Sequence, residues 1–233
     1  YYKMVFQDKR IVTGYKNTII YVIIGTLLSL GVTTCAAYAL SKKRRLPFAK
    51  QINIMILITM FFSGGMIPSF LLVTMLGLYD TIWAVVLPGC VSQMNLIIMR
   101  TFFSSFPEEI EESGRIDGLN DIGVLWFLVL PSSTAILATM ALYYGVGYWN
   151  GFMGPFLYLR SYDKYPLQII LREIVLRAFY TEEETAAASG DKLILEESIK
   201  YATIIVSIIP IIAIYPFLQK YFVKGRLLGS LKG

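Results

Sequence analysis

Residues Asn17–Ser41 read NTIIYVIIGTLLSLGVTTCAAYALS, without one charged side chain. A run of this length crosses the ~30 Å hydrocarbon layer of a bilayer as a helix, at about 20 residues per crossing. Four more uncharged runs follow: Gln51–Tyr79, Thr81–Met99, Ile122–Leu159 and Tyr201–Gln219. Inside hydrocarbon the backbone must satisfy its own hydrogen bonds, so each run is expected as helix. The pattern predicts an all-α integral membrane protein with five spans, over about 17–40, 52–78, 82–103, 122–147 and 201–222. They form a single transmembrane domain, residues 1–233. The fourth run is too long for one span. Tyr148–Leu159 is therefore expected as an interfacial or re-entrant continuation that opens an outer loop over 148–200.

Composition agrees. The chain has 233 residues, 56% hydrophobic and 16% charged, against about 25% charged in soluble domains; mean hydropathy is +0.60. The net charge of +5 is spread over several loops and is not a nucleic-acid footprint. One dense cluster, Lys42, Lys43, Arg44, Arg45 and Lys50, contains no acid and belongs on the cytoplasmic side. Alternation then puts Asp80 at an outer turn, residues 105–121 inside, Arg160–Lys200 outside and Lys224–Gly233 inside. Tyr1–Lys16 falls outside without an anchor, and the first residue is not Met. A further span upstream is therefore expected to be missing from the sequence.

There is no histidine, which excludes His-based acid/base chemistry and His metal sites. Cys35 and Cys90 sit in apolar runs and read as small buried hydrophobes rather than a disulfide. No G-x-x-x-x-G-K-[ST] phosphate cradle and no G-x-S-x-G elbow occurs. No catalytic residue, metal ligand or cofactor is assigned to this chain. No Asp, Glu, Lys or Arg lies deep within a span, which argues against an ion-coupled carrier and fits a conduit for a neutral or polyhydroxylated solute. Gly25, Ser29, Thr33 and Ala37 form a strip of small residues, either a seam for another helix or subunit or internal packing. Gly64, Gly65 and Pro68 mark a kink that lines a pathway or a bend that neighbouring helices tolerate. Pro210 and Pro216 pose the same question in the last span.

Between the third and fourth runs lies Pro107-Glu108-Glu109-Ile110-Glu111-Glu112-Ser113-Gly114-Arg115-Ile116-Asp117-Gly118-Leu119. Ser105 and Glu108 have capping-box spacing, with Pro107 in the first turn. A short helix is expected from Pro107 to about Ser113, its glutamates near the positive end of the helix dipole. Gly118 suits a left-handed turn. Asn120 or Asp121 can cap a helix that enters the membrane as Ile122–Val129. Ile110, Ile116 and Leu119 give the segment an apolar side. It is a solvated acidic loop, or a rigid elbow for a basic protein partner; four glutamates sit poorly beside anionic cytoplasmic lipid.

Glu112-Ser113-Gly114 followed by Arg115-Ile116-Asp117-Gly118-Leu119, with Leu130-Pro131 further on, resembles the Glu-Ala-Ala coupling motif of ABC importer permeases. The stretches Phe61–Pro68, Asn95–Phe103, Trp149-Asn150 and Tyr165–Gln168 are similar to the carbohydrate-uptake branch, within it to permeases for oligo- and polysaccharides. The likeness covers essentially the whole chain apart from the usual first span. It implies a type I importer permease fold, multi-pass in the bacterial inner (cytoplasmic) membrane. It also implies a second permease in a heterodimer, two ATPase subunits that hydrolyse the ATP, and an extracytoplasmic solute-binding protein. This chain would then be no enzyme and would bind no cofactor or nucleic acid.

The resemblance implies roles for Glu108 to Leu119 as the segment that ATPase closure pulls. Glu112 would pair with a basic residue of the ATPase, Gly118 would be the turn glycine flanked by Arg115 and Asp117, and Pro131 would enter the next span. Ser113, Gly114 and Leu119 depart from three alanines, and Ala135 stands where a second proline is common. Gly114 is expected to loosen the helix by ~1 kcal/mol relative to alanine. Tyr148, Trp149, Phe152, Phe156 and Tyr158, with Asn150, form either an interfacial aromatic belt or, on the resemblance, a contact for the solute or its binding protein. Thr181–Glu184 reads as polar surface and Ala186–Gly190 as a flexible tip. The alternative function is an ATP-independent channel or secondary carrier for a neutral solute.

Overall fold

The computed structural model describes residues 8–42, 47–185, 201–202 and 204–213, and every regular element among them is helical. The helices are α1 (Lys9–Ser41), α2 (Ala49–Phe61), α3 (Met66–Met75), α4 (Ile82–Val86), α5 (Gln93–Ser104) and α6 (Glu108–Ile116). They continue as α7 (Asp121–Ser132), α8 (Thr134–Asn150), α9 (Met153–Tyr158), α10 (Leu167–Thr185) and α11 (Ile204–Ala213).

Among the described residues α1 is the one helix long and apolar enough to cross a membrane unaided; the count rises to three if α2 with α3, and α7 with α8, are each one broken span. The breaks have local causes. The expected span over 82–103 is not one helix: Pro88, with no amide hydrogen to donate, stands in a turn between α4 and α5. The span over 52–78 is interrupted at Phe62–Gly65, where Gly65 takes φ 87°. The span over 122–147 turns by 86° at Ser133. There Pro131 deprives the Phe127 carbonyl of its donor, and Leu125–Val129 adopts a π-helical turn. Of the fifth span, the helix is described to Ala213 and the remainder lies outside the described residues. The same is true of Lys43–Leu46, Ala186–Gly190 and the basic tail. Residues 148–185 are mostly helix, as the end of α8, α9 and α10.

The described residues fall into two compact units. One is drawn from 25–66 and 88–144. Its core joins Ala37, Tyr38, Met99, Phe103, Val124, Val129 and Met140. Tyr38 meets Phe103 edge to face at 6.0 Å. The strip Gly25, Ser29, Thr33 and Ala37 is buried within this unit, so it serves internal packing. Thr33 Oγ1 lies 2.7 Å from Tyr144 Oη, which accepts the Ser92 amide at 3.1 Å. Between lipid-embedded helices such contacts and close packing hold the bundle, because leaving hydrocarbon for protein gives no hydrophobic gain. α2 keeps Ile54, Met55, Leu57 and Ile58 exposed, an all-round apolar helix of the kind found in lipid or against another chain.

The other unit comprises described residues of 8–24, 67–87 and 145–213. Ile11, Trp149, Leu167, Ile170 and Val206 form one core, and Val73, Ala84 and Tyr158 a second. Thr18 Oγ1 accepts the Leu167 amide at 2.9 Å, starting α10 against α1. Asp80 is a hub. Its backbone is left-handed, φ 57°. Its carboxylate accepts the amides of Arg160 and Ser161, the Ser161 hydroxyl at 2.6 Å and Lys164 Nζ at 2.8 Å. These donors, Lys164 and Ser161 above all, hold the carboxyl far below the usual carboxylate range.

Candidate coupling site

The acidic segment folds as an elbow. α6 starts at Glu108 with Pro107 as its N-cap residue, and no side chain caps it. The capping box expected from Ser105 is not formed: Ser105 ends α5, and its hydroxyl donates to the Phe102 carbonyl at 2.8 Å. The helix instead opens on Pro107, whose fixed φ suits a first turn, and on Glu108, Glu109 and Glu111 near its positive end. It runs through Gly114 to Ile116, one turn past the expected end at Ser113.

Its end is built as the spacing predicts. Gly118 takes φ 89°, a left-handed conformation that costs a side chain about 1–2 kcal/mol. The Leu119 amide donates to the Gly114 carbonyl at 2.9 Å. Of the two candidate caps, Asn120 is the one used: its Oδ1 accepts the Gly123 amide at 2.7 Å. α7 therefore leaves the elbow directly.

One face of α6 is buried and the other free. Glu111 and Gly114 are buried, whereas Glu108, Glu109, Ile110, Glu112, Ser113, Ile116, Asp117 and Gly118 are exposed. A methyl group at Gly114 would run into Leu128 of α7. Glycine here buys close contact between α6 and α7, which offsets the flexibility its composition predicts. Arg115 is half-buried, donating to Asp121 at 3.1 Å and to Glu111 at 3.3 Å. Burial works against the charge of its guanidinium, but those two carboxylates outweigh it and the pKa is raised. Leu119 is half-buried and Pro131 is exposed beyond the π turn. Glu111 is the member that composition alone did not single out; its i,i+4 spacing to Arg115 was the available signal.

The aromatic segment is divided. Trp149 and Tyr158 are core residues: Trp149 lies 6.3 Å from Tyr15, and Tyr158 stacks on Phe70 at 6.3 Å. Tyr148 is half-buried, its hydroxyl donating to the Val86 carbonyl at 3.0 Å. Asn150 is exposed. Phe152 and Phe156 stack at 5.2 Å, and the exposed Arg172 lays its guanidinium 4.4 Å from the Phe152 ring centre. Arg172 was not legible as a partner of these rings, because it comes from the next helix.

A chain of membrane-crossing helices carrying a capped, acid-faced elbow and no phosphate-binding loop of its own has the build of a membrane subunit driven from outside. Residues 36–227 match the family of binding-protein-dependent transport system inner membrane components, and the chain belongs to it. Over 232 residues the sequence is 40% identical to the polygalacturonan/rhamnogalacturonan transport system permease protein YtcP of Bacillus subtilis (strain 168), covering 100% of this chain and 81% of that one. It is 42% identical over 236 residues to Protein LplC of the same organism, of which it covers 78%. A solved bacterial ABC transporter involved in the import of the acidic polysaccharide alginate superposes with a TM-score of 0.84 at 36% identity, over 95% of this chain and 78% of that one. The chain is a permease subunit of an ABC importer, a bacterial membrane protein. Such subunits are non-catalytic and work with a paired permease, a solute-binding protein and separate subunits that hydrolyse ATP.

Proposed function

We propose that this chain is a permease subunit of an ATP-driven oligosaccharide importer, spanning the bacterial cytoplasmic membrane in multiple passes of the type I importer fold. Residues 105–121 are its cytoplasmic coupling segment, and the loop over 148–200 is on its outer side. The observation that carries this reading is the free face of α6. Glu108, Glu109, Glu112 and Ile116 point away from a helix whose opposite face is locked to its own chain. That is a shaped, acidic surface for a basic cleft on another protein. ATPase closure moves the elbow, and α7 carries the movement into the membrane.

The relatives support the solute class: YtcP is named for polygalacturonan/rhamnogalacturonan transport, the solved transporter is involved in alginate import, and others are named for arabinooligosaccharides and maltodextrin. Within it, an acidic chain suits Arg172 on Phe152 and Phe156, a cation beside ring faces. Trp149 and Tyr158 serve packing rather than contact with solute. Glu112→Arg and Gly118→Asp are expected to abolish uptake by the assembled importer while membrane insertion and assembly continue. Normal uptake in both variants would overturn the coupling role, and uptake that persists without ATP would favour a channel or secondary carrier.

A further inference from the structure

Glu111 is the buried charged residue among those described, at 2% exposure. Its Oε2 accepts from Arg115 of the same helix at 3.3 Å. Its Oε1 lies against Nζ of Lys42, just past the C-terminal end of α1. Lys42 is itself mostly covered, and its ammonium also sits 5.5 Å from the Tyr38 ring centre. A cation at that end of α1 complements the helix dipole. A carboxylate withdrawn from water is expensive, and an apolar residue of similar size would pack at least as well. What the ion pair supplies that an apolar contact does not is a fixed position of one helix on another. The elbow thus has two attachments in its own unit: Gly114 and Arg115 fasten α6 to α7, and Glu111 fastens it to α1.

We propose that Glu111 is a positioning residue of the coupling machinery, and that its pair with Lys42 makes α1 a second receiver of the movement that α6 delivers. The inference rests on the coupling reading above. In that reading Glu112 faces outward to the motor and Glu111 faces inward to the chain, so adjacent carboxylates form the two ends of one linkage. α1 is the long helix of the described chain, continuous from Lys9 to Ser41. A push at its cytoplasmic end reaches the far side of the membrane without passing a break, whereas α7 bends at Ser133.

The test uses the complete importer in proteoliposomes, with Lys42→Met and Glu111→Gln made singly and together. Lys42→Met leaves Glu111 on Arg115 alone, and Glu111→Gln leaves Lys42 beside the Tyr38 ring, so each single variant breaks the link to α1 and is expected to lower transport per ATP as the double variant does. The double variant removes both charges and is expected to assemble normally. It should import at least about fivefold less solute per ATP hydrolysed. Spin labels at Ile110→Cys and Val32→Cys, both exposed and outside the acidic face of α6, in a Cys35→Ser/Cys90→Ser background, give a readout that needs no solute. The native pair should keep one narrow distance with and without ATP, and the double variant should show a distance that broadens or shifts when ATP is added. A double variant with native transport per ATP and a narrow distance overturns the proposal. So does failure of the double variant to assemble, which would make the pair a folding contact. If Glu112→Arg also transports normally, the coupling reading itself has failed; if Glu112→Arg is inactive and the double variant is native, only the present inference has.

Discussion

At the scale of single residues, two positions separate backbone from charge. Gly118 has a left-handed φ and open space around it, with nothing within 4 Å of an added Cβ. The penalty for a side chain is therefore purely conformational. Gly118→Ala should cost about 1–2 kcal/mol, and Gly118→Asn less, since Asn visits this region more readily. Thermal stability of the purified importer checks this, and equal losses for Ala and Asn would point to a steric cause instead. Asp80 is a test of linkage. Its folded pKa lies below its unfolded one, so the stabilisation it gives is fully present above the ordinary Asp pKa, about 4. It is lost as pH falls below that value toward the depressed folded pKa. Asp80→Asn should lower the melting temperature at pH 7. The gap to the native protein should hold down to about pH 5 and narrow below pH 4. A gap that is constant across this range would mean that shape rather than charge is what Asp80 contributes. Neither role is visible from composition. Gly118 was legible because turn chemistry is local, whereas Asp80 depends on donors about eighty positions away in Arg160, Ser161 and Lys164.

At the scale of elements, the uncharged runs located helices well and their continuity poorly. Hydropathy reports which residues avoid water over a window, and it averages across a single proline or a pair of glycines. That is why Thr81–Met99 reads as one segment although Pro88 divides it, and why Ile122–Gly147 reads straight although it turns at Ser133. The elbow was legible for the opposite reason. Gly118, Asn120 and the acidic first turn act on their immediate neighbours, so their spacing determines the local chain. The capping box failed, since Ser105 was still engaged with α5, and the helix ran on past Ser113 to Ile116. The π turn at Leu125–Val129 follows from Pro131, whose nitrogen cannot donate to the Phe127 carbonyl. Pro131→Ala restores that donor. It should convert the turn to α-helix and raise hydrogen-exchange protection across residues 125–129, with a gain in local helix stability of up to about 3 kcal/mol. If the π turn also sets how α7 follows the elbow, transport per ATP falls in the same variant. Unchanged exchange at these amides would show that neighbouring side chains, rather than the proline, impose the turn.

At the scale of the whole molecule, charge is sparse enough that each placement carries meaning. In the proposed coupling reading the charges of α6 serve a motor: an outward acidic face and an inward pair that fixes the helix. Arg172 has a different setting. Its guanidinium lies 4.4 Å from Phe152 and 6.0 Å from Phe156, and no carboxylate pairs with it among the described residues. A guanidinium held beside a ring rather than by a carboxylate still has N–H donors to offer, and its edge matches a carboxylate in two parallel hydrogen bonds. The exposed face of Phe156 beside it suits the apolar face of a sugar ring. A uronic acid unit offers both features. If the importer carries acidic oligosaccharides, Arg172→Gln should raise the KM for uptake of a labelled galacturonate trisaccharide about tenfold or more, as befits a charge-assisted hydrogen bond of roughly 1.5–3 kcal/mol. Uptake of the same trisaccharide with its carboxyls methyl-esterified should change little, because the ester has no charge to lose. Equal losses for both forms would return Arg172, Phe152 and Phe156 to the interfacial belt. A loss of binding-protein-stimulated ATP hydrolysis without any sugar present would assign them to the docking of that protein. Arg172→Lys separates geometry from charge: an ammonium keeps the attraction but not the paired donors, so its KM should fall between those of the native protein and Arg172→Gln.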